Sequence, residues 1–228
     1  MFQNFIPNAR PRAFCQPYDG QFEILVDENT PGARSRVNKQ GKTVWGIATK
    51  TIYGFIISAS KTETAYGAAL DIVFESADGQ SELFLRLTFD SALAAAFLNR
   101  ASNIDFRRPV YIDIAKKDGR ASLFLKYADG RGIPYAYTRE NPGGRPEWQK
   151  ITRGDGAADW DNSAQLAFFA ELLNTEIAER IHAAVNVRYA GALIEAERAK
   201  IPNIGTVAER AATSAEIDTL EYDNDLPF

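Results

Sequence analysis

Aromatic rings stand two residues from cations at two places where the chain alternates like a strand. Phe84 precedes Arg86, and Phe124 precedes Lys126. Residues i and i+2 of a strand share a face, so each pair sets a flat π surface beside a positive charge. Such a surface can stack on a planar ring and neutralise an anion tethered to it. Trp45, Tyr53, Phe55 and Tyr111 extend the aromatic set, with Lys50 between the first two. Lys116, Lys117 and Arg120 gather at a turn, and Tyr135, Tyr137 and Trp148 lie in a loop rich in Arg and Lys. A second chemistry competes with stacking: Asp71, Glu75 and Asp113 are strand carboxylates, and metal-assisted hydrolysis needs such acids to converge.

Scarcity removes other chemistries. Cys15 is the only cysteine, so no internal disulfide and no thiolate zinc cluster can form. His182 is the only histidine, and it falls in a long helical pattern, where it reads as an ordinary helix residue. No GxxxxGK[ST] loop is present and no GxGxxG follows a strand, while Gly143-Gly144 is loop punctuation. The sequence therefore implies no catalytic group, no metal and no cofactor.

The elements that must hold the aromatics follow from periodicity. Residues 1–43 show weak alternation and read as an N-terminal arm with one strand over 22–26. Residues 44–60 are β-branched and aromatic and predict one long strand, bulged at Gly46 and Gly54. Residues 69–76 and 81–89 alternate around Asp78-Gly79, which predicts a hairpin. In the second of these, Leu83, Leu85, Leu87 and Phe89 take one face and Phe84, Arg86 and Thr88 the other. Asp90-Ser91 caps a predicted helix over 92–100. Strands over 110–114 and 123–127 then flank the turn at residues 117–120. Three strands, a helix and two strands is the element order of the five-stranded OB-fold barrel. The expected fold is thus mainly β with added α, an OB core over 44–156. A helical extension over 157–199 carries a core stripe of Leu166, Phe169, Leu173, Ile177, Ile181 and Ala184.

Charge divides the same way. The 228 residues hold 26 Lys and Arg against 30 Asp and Glu, a net −4. Five of the acids, Glu216, Asp218, Glu221, Asp223 and Asp225, lie after Ser214, leaving 26 bases against 25 acids in the body. Residues 29–62 carry six bases and no acid, and residues 100–153 carry twelve bases and six acids. A basic region interleaved with aromatics suits single-stranded nucleic acid, whose phosphates need cations and whose bases need rings.

The linker and tail, 200–228, end in Asp223-Asn224-Asp225-Leu226-Pro227-Phe228. This tip resembles that of the bacterial single-stranded DNA-binding proteins, matching at Asp223, Asp225, Leu226, Pro227 and Phe228, with Asn224 at a usually acidic position. An OB-like body with an extra helix and a Phe-terminated acidic tail also resembles phage members of that class. The resemblance implies a non-enzymatic protein that coats exposed DNA strands in replication, recombination or repair. It also implies that the tip recruits partner enzymes. The DNA contacts expected are Trp45, Lys50, Tyr53, Phe84, Arg86, Tyr111, Lys116, Lys117, Arg120, Phe124, Lys126, Tyr135 and Tyr137. A metal-dependent nuclease and an adaptor that does not bind DNA are the alternatives. No apolar run reaches the roughly 20 residues that span a bilayer, and no signal peptide is evident, so a cytoplasmic protein of a bacterium or an infected host is expected. Self-association is left open by the sequence.

Opposite charges on tail and body should attract each other. Deleting residues 214–228 is expected to tighten binding to oligo-dT at low salt, measured by fluorescence anisotropy; equal or weaker binding would contradict tail competition.

Overall fold

Two-residue turns organise the β structure. Asp19 and Gly20 both have positive φ (46° and 73°) and join β1 (Arg12–Tyr18) to β2 (Gln21–Leu25). Asp118 and Gly119 (50° and 76°) join β8 (Val110–Lys117) to β9 (Arg120–Tyr127) in the same way. Such turns match the right-handed twist of paired strands, and Asp-Gly tolerates the φ they need. Between these hairpins come β3 (Arg34–Val37), β4 (Thr43–Thr49), β5 (Thr51–Thr64), β6 (Gly67–Glu75) and β7 (Glu82–Thr88).

The computed structural model describes residues 10–38, 40–152, 154 and 158–200, with Lys117 and residues 194–200 described by backbone only. Residues 1–187 and 188–228 are separate compact units. In the first, nine strands form one mixed sheet in the order β3-β4-β2-β1-β7-β6-β5-β8-β9. All neighbours run antiparallel except β1 and β7, which are parallel. A separate hairpin joins β10 (Gln149–Thr152) and β11 (Ala158–Asp161). The α-helices among the described residues are α1 (Ala92–Ala101), α2 (Ser163–Leu172) and α3 (Ala178–Lys200). Only the end of α3, residues 188–200, is described in the second unit, where the Arg188 guanidinium lies 5.4 Å from the Tyr189 ring.

Thr49 closes β4 and Thr51 opens β5, one residue apart, although the two strands lie five places apart in the sheet. Only a sheet coiled strongly on itself satisfies both facts. Lys50 is held at this link by its carbonyl, which accepts from Ile114 N–H at 2.9 Å. The coil is tight enough to require bare backbone. A Cβ on Gly54 would sit 2.6 Å from the Glu75 carbonyl oxygen, and one on Gly20 would sit 2.5 Å from Lys116 Cβ.

The inner face carries the core. Leu70, Ile72, Phe74, Leu85, Leu87, Ile112, Leu123 and Leu125 are buried against Phe97 and Leu98 of α1. Ser91 caps α1, its Oγ accepting from Ala94 N–H at 3.1 Å. Phe169, Leu173, Ile177, Ile181 and Ala184 are buried as the predicted stripe. Steps of four residues drift about 40° per step on an ideal α-helix. The π-helical segment Leu173–Ile177 turns more slowly and keeps those steps on one face. His182 is an exposed position on α3.

The mainly β architecture with added helices is as expected, but the sheet does not close as the five-stranded barrel expected over 44–156. Residues 1–43 are not simply an arm with one strand, since β1, β2 and β3 belong to the main sheet. Their weak alternation hid them because the side β1 turns toward the core carries the small residues Ala13, Cys15 and Pro17, and the strand gains its place by pairing with β2 and β7. The single strand expected over 44–60 is two strands, and its bulge falls between Ile56 and Ser58 rather than at Gly46 or Gly54. Those glycines mark close approach instead. The tip residues Asp223, Asp225, Leu226, Pro227 and Phe228 lie outside the described residues.

Gly54→Ala is expected to destabilise the protein by about 1–3 kcal/mol, the usual cost of overpacking against backbone that cannot retreat. A lowered urea midpoint with an unchanged slope would report it; an unchanged midpoint would refute the close approach.

Candidate nucleic-acid interface

Strand register decides which aromatics share a surface. Phe14 on β1 is level with Phe84 on β7, and Arg86 is level with Asp71 on β6. Glu82, Glu75 and Phe55 are level across β7, β6 and β5. Tyr53, two residues before Phe55, is level with Tyr111 on β8, which is level with Lys126 on β9. All of these occupy the outer face, away from Leu85, Ile72 and Ile112. The face continues onto β2 and β3 through Gln16, Glu23 and the pairings around Gly46, which bring in Arg34 and Arg36.

Three aromatic–cation–carboxylate sets are built on this face. In the first, the Arg86 guanidinium lies 5.2 Å from the Phe84 ring centre and donates to both Asp71 oxygens at 2.7 and 2.8 Å. Phe84 also contacts Phe14, with ring centres 5.3 Å apart. In the second, Arg36 lies 4.2 Å from the Tyr18 ring centre, and its Nε donates to Glu23 at 2.7 Å. Glu23 reaches it across Gly46, where a Cβ would sit 2.5 Å from Glu23 Cγ. In the third, Tyr53 and Tyr111 stack with centres 4.2 Å apart, beside Lys126, which pairs with Asp113 at 2.6 Å. Thr51 Oγ1 donates to the same carboxylate at 2.7 Å. Phe14, Tyr18 and Phe124 are each 51% exposed, so half of every ring is open to a ligand.

The carboxylates are held ionised. Burial pushes the Asp71 carboxyl up, but hydrogen bonds from Arg86 and Thr62 outweigh it and leave the group below its ordinary range. Asp113 follows the same balance, with Lys126 and Thr51 overcoming burial. Glu23 is lowered chiefly by the Arg36 hydrogen bond. Cys15, by contrast, is buried in the core, and burial followed by the nearby Glu23 charge pushes its thiol up to about 12. It is therefore a packing residue and not a nucleophile.

The expected contact residues divide sharply. Tyr53, Phe84, Arg86, Tyr111, Phe124 and Lys126 come together on the outer face. Arg120 joins them by alternation along β9 from Phe124, and Lys50 sits exposed at the link before β5. Lys117 ends β8 with its side chain outside the description. Trp45 does not join them. It shares a side with Ile47, which is level with Ile24, and Ile24 is level with Cys15 and so with core-facing Leu85. Lys116 is turned to the β1–β2 turn, where it pairs with Asp19 at 2.6 Å.

Tyr135 lies under the Arg100 guanidinium at 3.6 Å, while Tyr137 meets Phe168 edge-on at 5.2 Å and shares a 3.0 Å hydrogen bond with Ser102. These two tyrosines tie their loop to α1 and α2. Trp148 is likewise anchored, donating from Nε1 to the buried Gln165 at 2.9 Å. Sequence reasoning missed Phe14 and Tyr18. The Asp19-Gly20 hairpin signal beside them was the available clue.

The acids considered for metal chemistry do not converge. Asp71 is paired with Arg86, Asp113 with Lys126, and Glu75 with Arg10. Among the described residues, no group of three or more His, Cys, Asp or Glu side chains is placed to hold a metal ion. No helix among them is long and apolar enough to cross a membrane. No family model, curated protein or solved structure matches this chain.

Carboxyls lowered on folding stabilise the protein at pH values above their unfolded range, and lose that contribution as pH falls through their folded values. The melting temperature is expected to stay level from about pH 7 to pH 5 and to drop below about pH 4. Asp71→Asn should flatten part of that drop; an identical acid limb in the variant would show that the Arg86 pair contributes nothing.

Proposed function

We propose that this chain binds single-stranded DNA on the outer face of its sheet and acts without catalysis, coating exposed strands. The observation that carries this reading is the row of rings on one continuous face, with Phe14, Tyr53 and Phe124 exposed and Phe84 and Tyr111 partly so, arranged with cations. Stacking on such rings tolerates any base, because every base has a π surface. It also selects single strands, since the bases of a duplex are already stacked on each other.

An OB-type core supports the same reading. Its proposed strands are β5, β6, β7, β8 and β9, with α1 between the third and fourth. The long β5 pairs with β6 over one stretch and with β8 over another, as the first strand of such a core must. In this chain the parallel neighbour of β7 is β1, so the N-terminal strands occupy the side where the core would otherwise close. The tail, through Asp223, Asp225, Leu226, Pro227 and Phe228, is proposed to recruit replication or repair enzymes, an apolar tip on an acidic stretch being suited to a basic-rimmed pocket.

Titration of labelled oligo-dT, a matched duplex and a Mg²⁺-supplemented sample tests the reading. Tight binding to oligo-dT, weak binding to duplex and an intact strand are expected. Phe124→Ala and Tyr53→Ala should each weaken binding by about 1–3 kcal/mol, and Trp45→Ala should leave it unchanged. No binding to oligo-dT would favour a pure adaptor, and strand cleavage would favour a nuclease.

A further inference from the structure

Most cations of the outer face are not free to meet phosphate. Arg86 is held by Asp71, Lys126 by Asp113, and Arg36 by Glu23. Arg12 on β1 donates from Nε and Nη2 to Glu82 of the neighbouring β7, at 2.9 and 2.6 Å. Four cations thus carry their counter-ions within the same sheet. Two of them also lie against rings, Arg86 on Phe84 and Arg36 on Tyr18, so their flat guanidinium planes extend the aromatic surface. Arg34, Lys50 and Arg120 are the cations on or beside this face that have no acidic partner among the described residues.

We propose that this face recognises the bases of a single strand rather than its phosphates, with Glu23, Asp71, Glu82 and Asp113 acting as built-in counter-ions that withhold Arg36, Arg86, Arg12 and Lys126 from the backbone. The inference rests on the single-strand reading above and specifies its chemistry. A phosphate arriving near Arg86 or Lys126 must displace a carboxylate already bonded at 2.6–2.8 Å and then lie beside that displaced negative charge. A base arriving over Phe84, Phe124 or the Tyr53–Tyr111 stack meets no such exchange. Because a phosphate that no protein cation neutralises keeps its own condensed counter-ions, few ions are released on binding.

Salt dependence reads this directly. Each phosphate neutralised on a single strand contributes about −0.7 to the slope of log K against log salt. Three unpaired cations give a slope of about −2, whereas engagement of Arg36, Arg86, Arg12 and Lys126 as well gives about −5. The full chain is titrated with oligo-dT across a salt series, and then competed with an abasic oligodeoxynucleotide of equal length. A slope near −2 is expected, with the abasic strand competing at least about tenfold less well than oligo-dT. Asp113→Asn, which releases Lys126, should steepen the slope by about 0.7 and tighten low-salt binding; Asp71→Asn should do the same through Arg86. A wild-type slope near −5, or equal competition by the abasic strand, overturns the proposal. Unchanged slopes in both variants, with melting curves that show them folded, overturn it as well. If neither oligo-dT nor the abasic strand binds at any salt, the single-strand reading itself fails.

Discussion

One residue, Lys50, links two strands that lie five places apart in a nine-stranded sheet, and that covalent constraint forces the sheet to coil. The inside of the coil becomes the place where alternate residues of β5 to β9 meet α1 and the π-containing helix. Its outside is left as an extended, polar and aromatic surface. The close approaches at Gly54, Gly46 and Gly20 are the local consequences, for a side chain at any of them would collide with a neighbouring strand or with the side chain packed over it. Burial of the inner stripe provides the hydrophobic driving force, but the coil determines which residues it can reach.

On the outer surface the recurring combination is ring, cation and carboxylate. Each cation is fixed by a carboxylate on a neighbouring strand or, for Arg36, two strands away across β4, and Arg86 and Arg36 are fixed a second time by the ring beneath them. Such pairs are partly exposed and individually worth little. Their larger effect is geometric, since they lock long side chains flat against or beside the rings. A surface organised in this way has low net charge without being electrically featureless, and its rings are pre-organised for stacking. The basic character counted along residues 29–62 and 100–153 is real, yet part of it is paired with acids from outside those stretches, Arg36 with Glu23 and Lys116 with Asp19.

The meander of β5 to β7, the capped α1 and the β8–β9 hairpin were legible because each depends on local signals: strict alternation, Ser91 as a cap, Asp-Gly turns. The same alternation placed Phe84 and Arg86, and Phe124 and Lys126, on faces where the structure also has them. The helix stripe from Phe169 to Ala184 was legible too, though its π segment was not, since that departure answers to packing over the whole stripe. Trp45 and Tyr137 show where local reasoning stops. Both are aromatic and near basic residues, yet one is turned to the core side through a chain of registers across β4, β2 and β1, and the other is packed against Phe168.

Sequence by itself determined the period and therefore the two faces of each strand, the turns between close neighbours, and the acidic Leu-Pro-Phe tip. These are properties of residues a few positions apart, where chain connectivity leaves few choices. Tertiary structure alone decided that β1 would lie parallel to β7, that the sheet would stay open as a nine-stranded coil, and that Asp71, Glu23 and Asp113 would meet Arg86, Arg36 and Lys126. Those outcomes join residues 13 to 70 positions apart. Their free energy depends on strand order and on distances of a few ångströms, which no count along the chain contains.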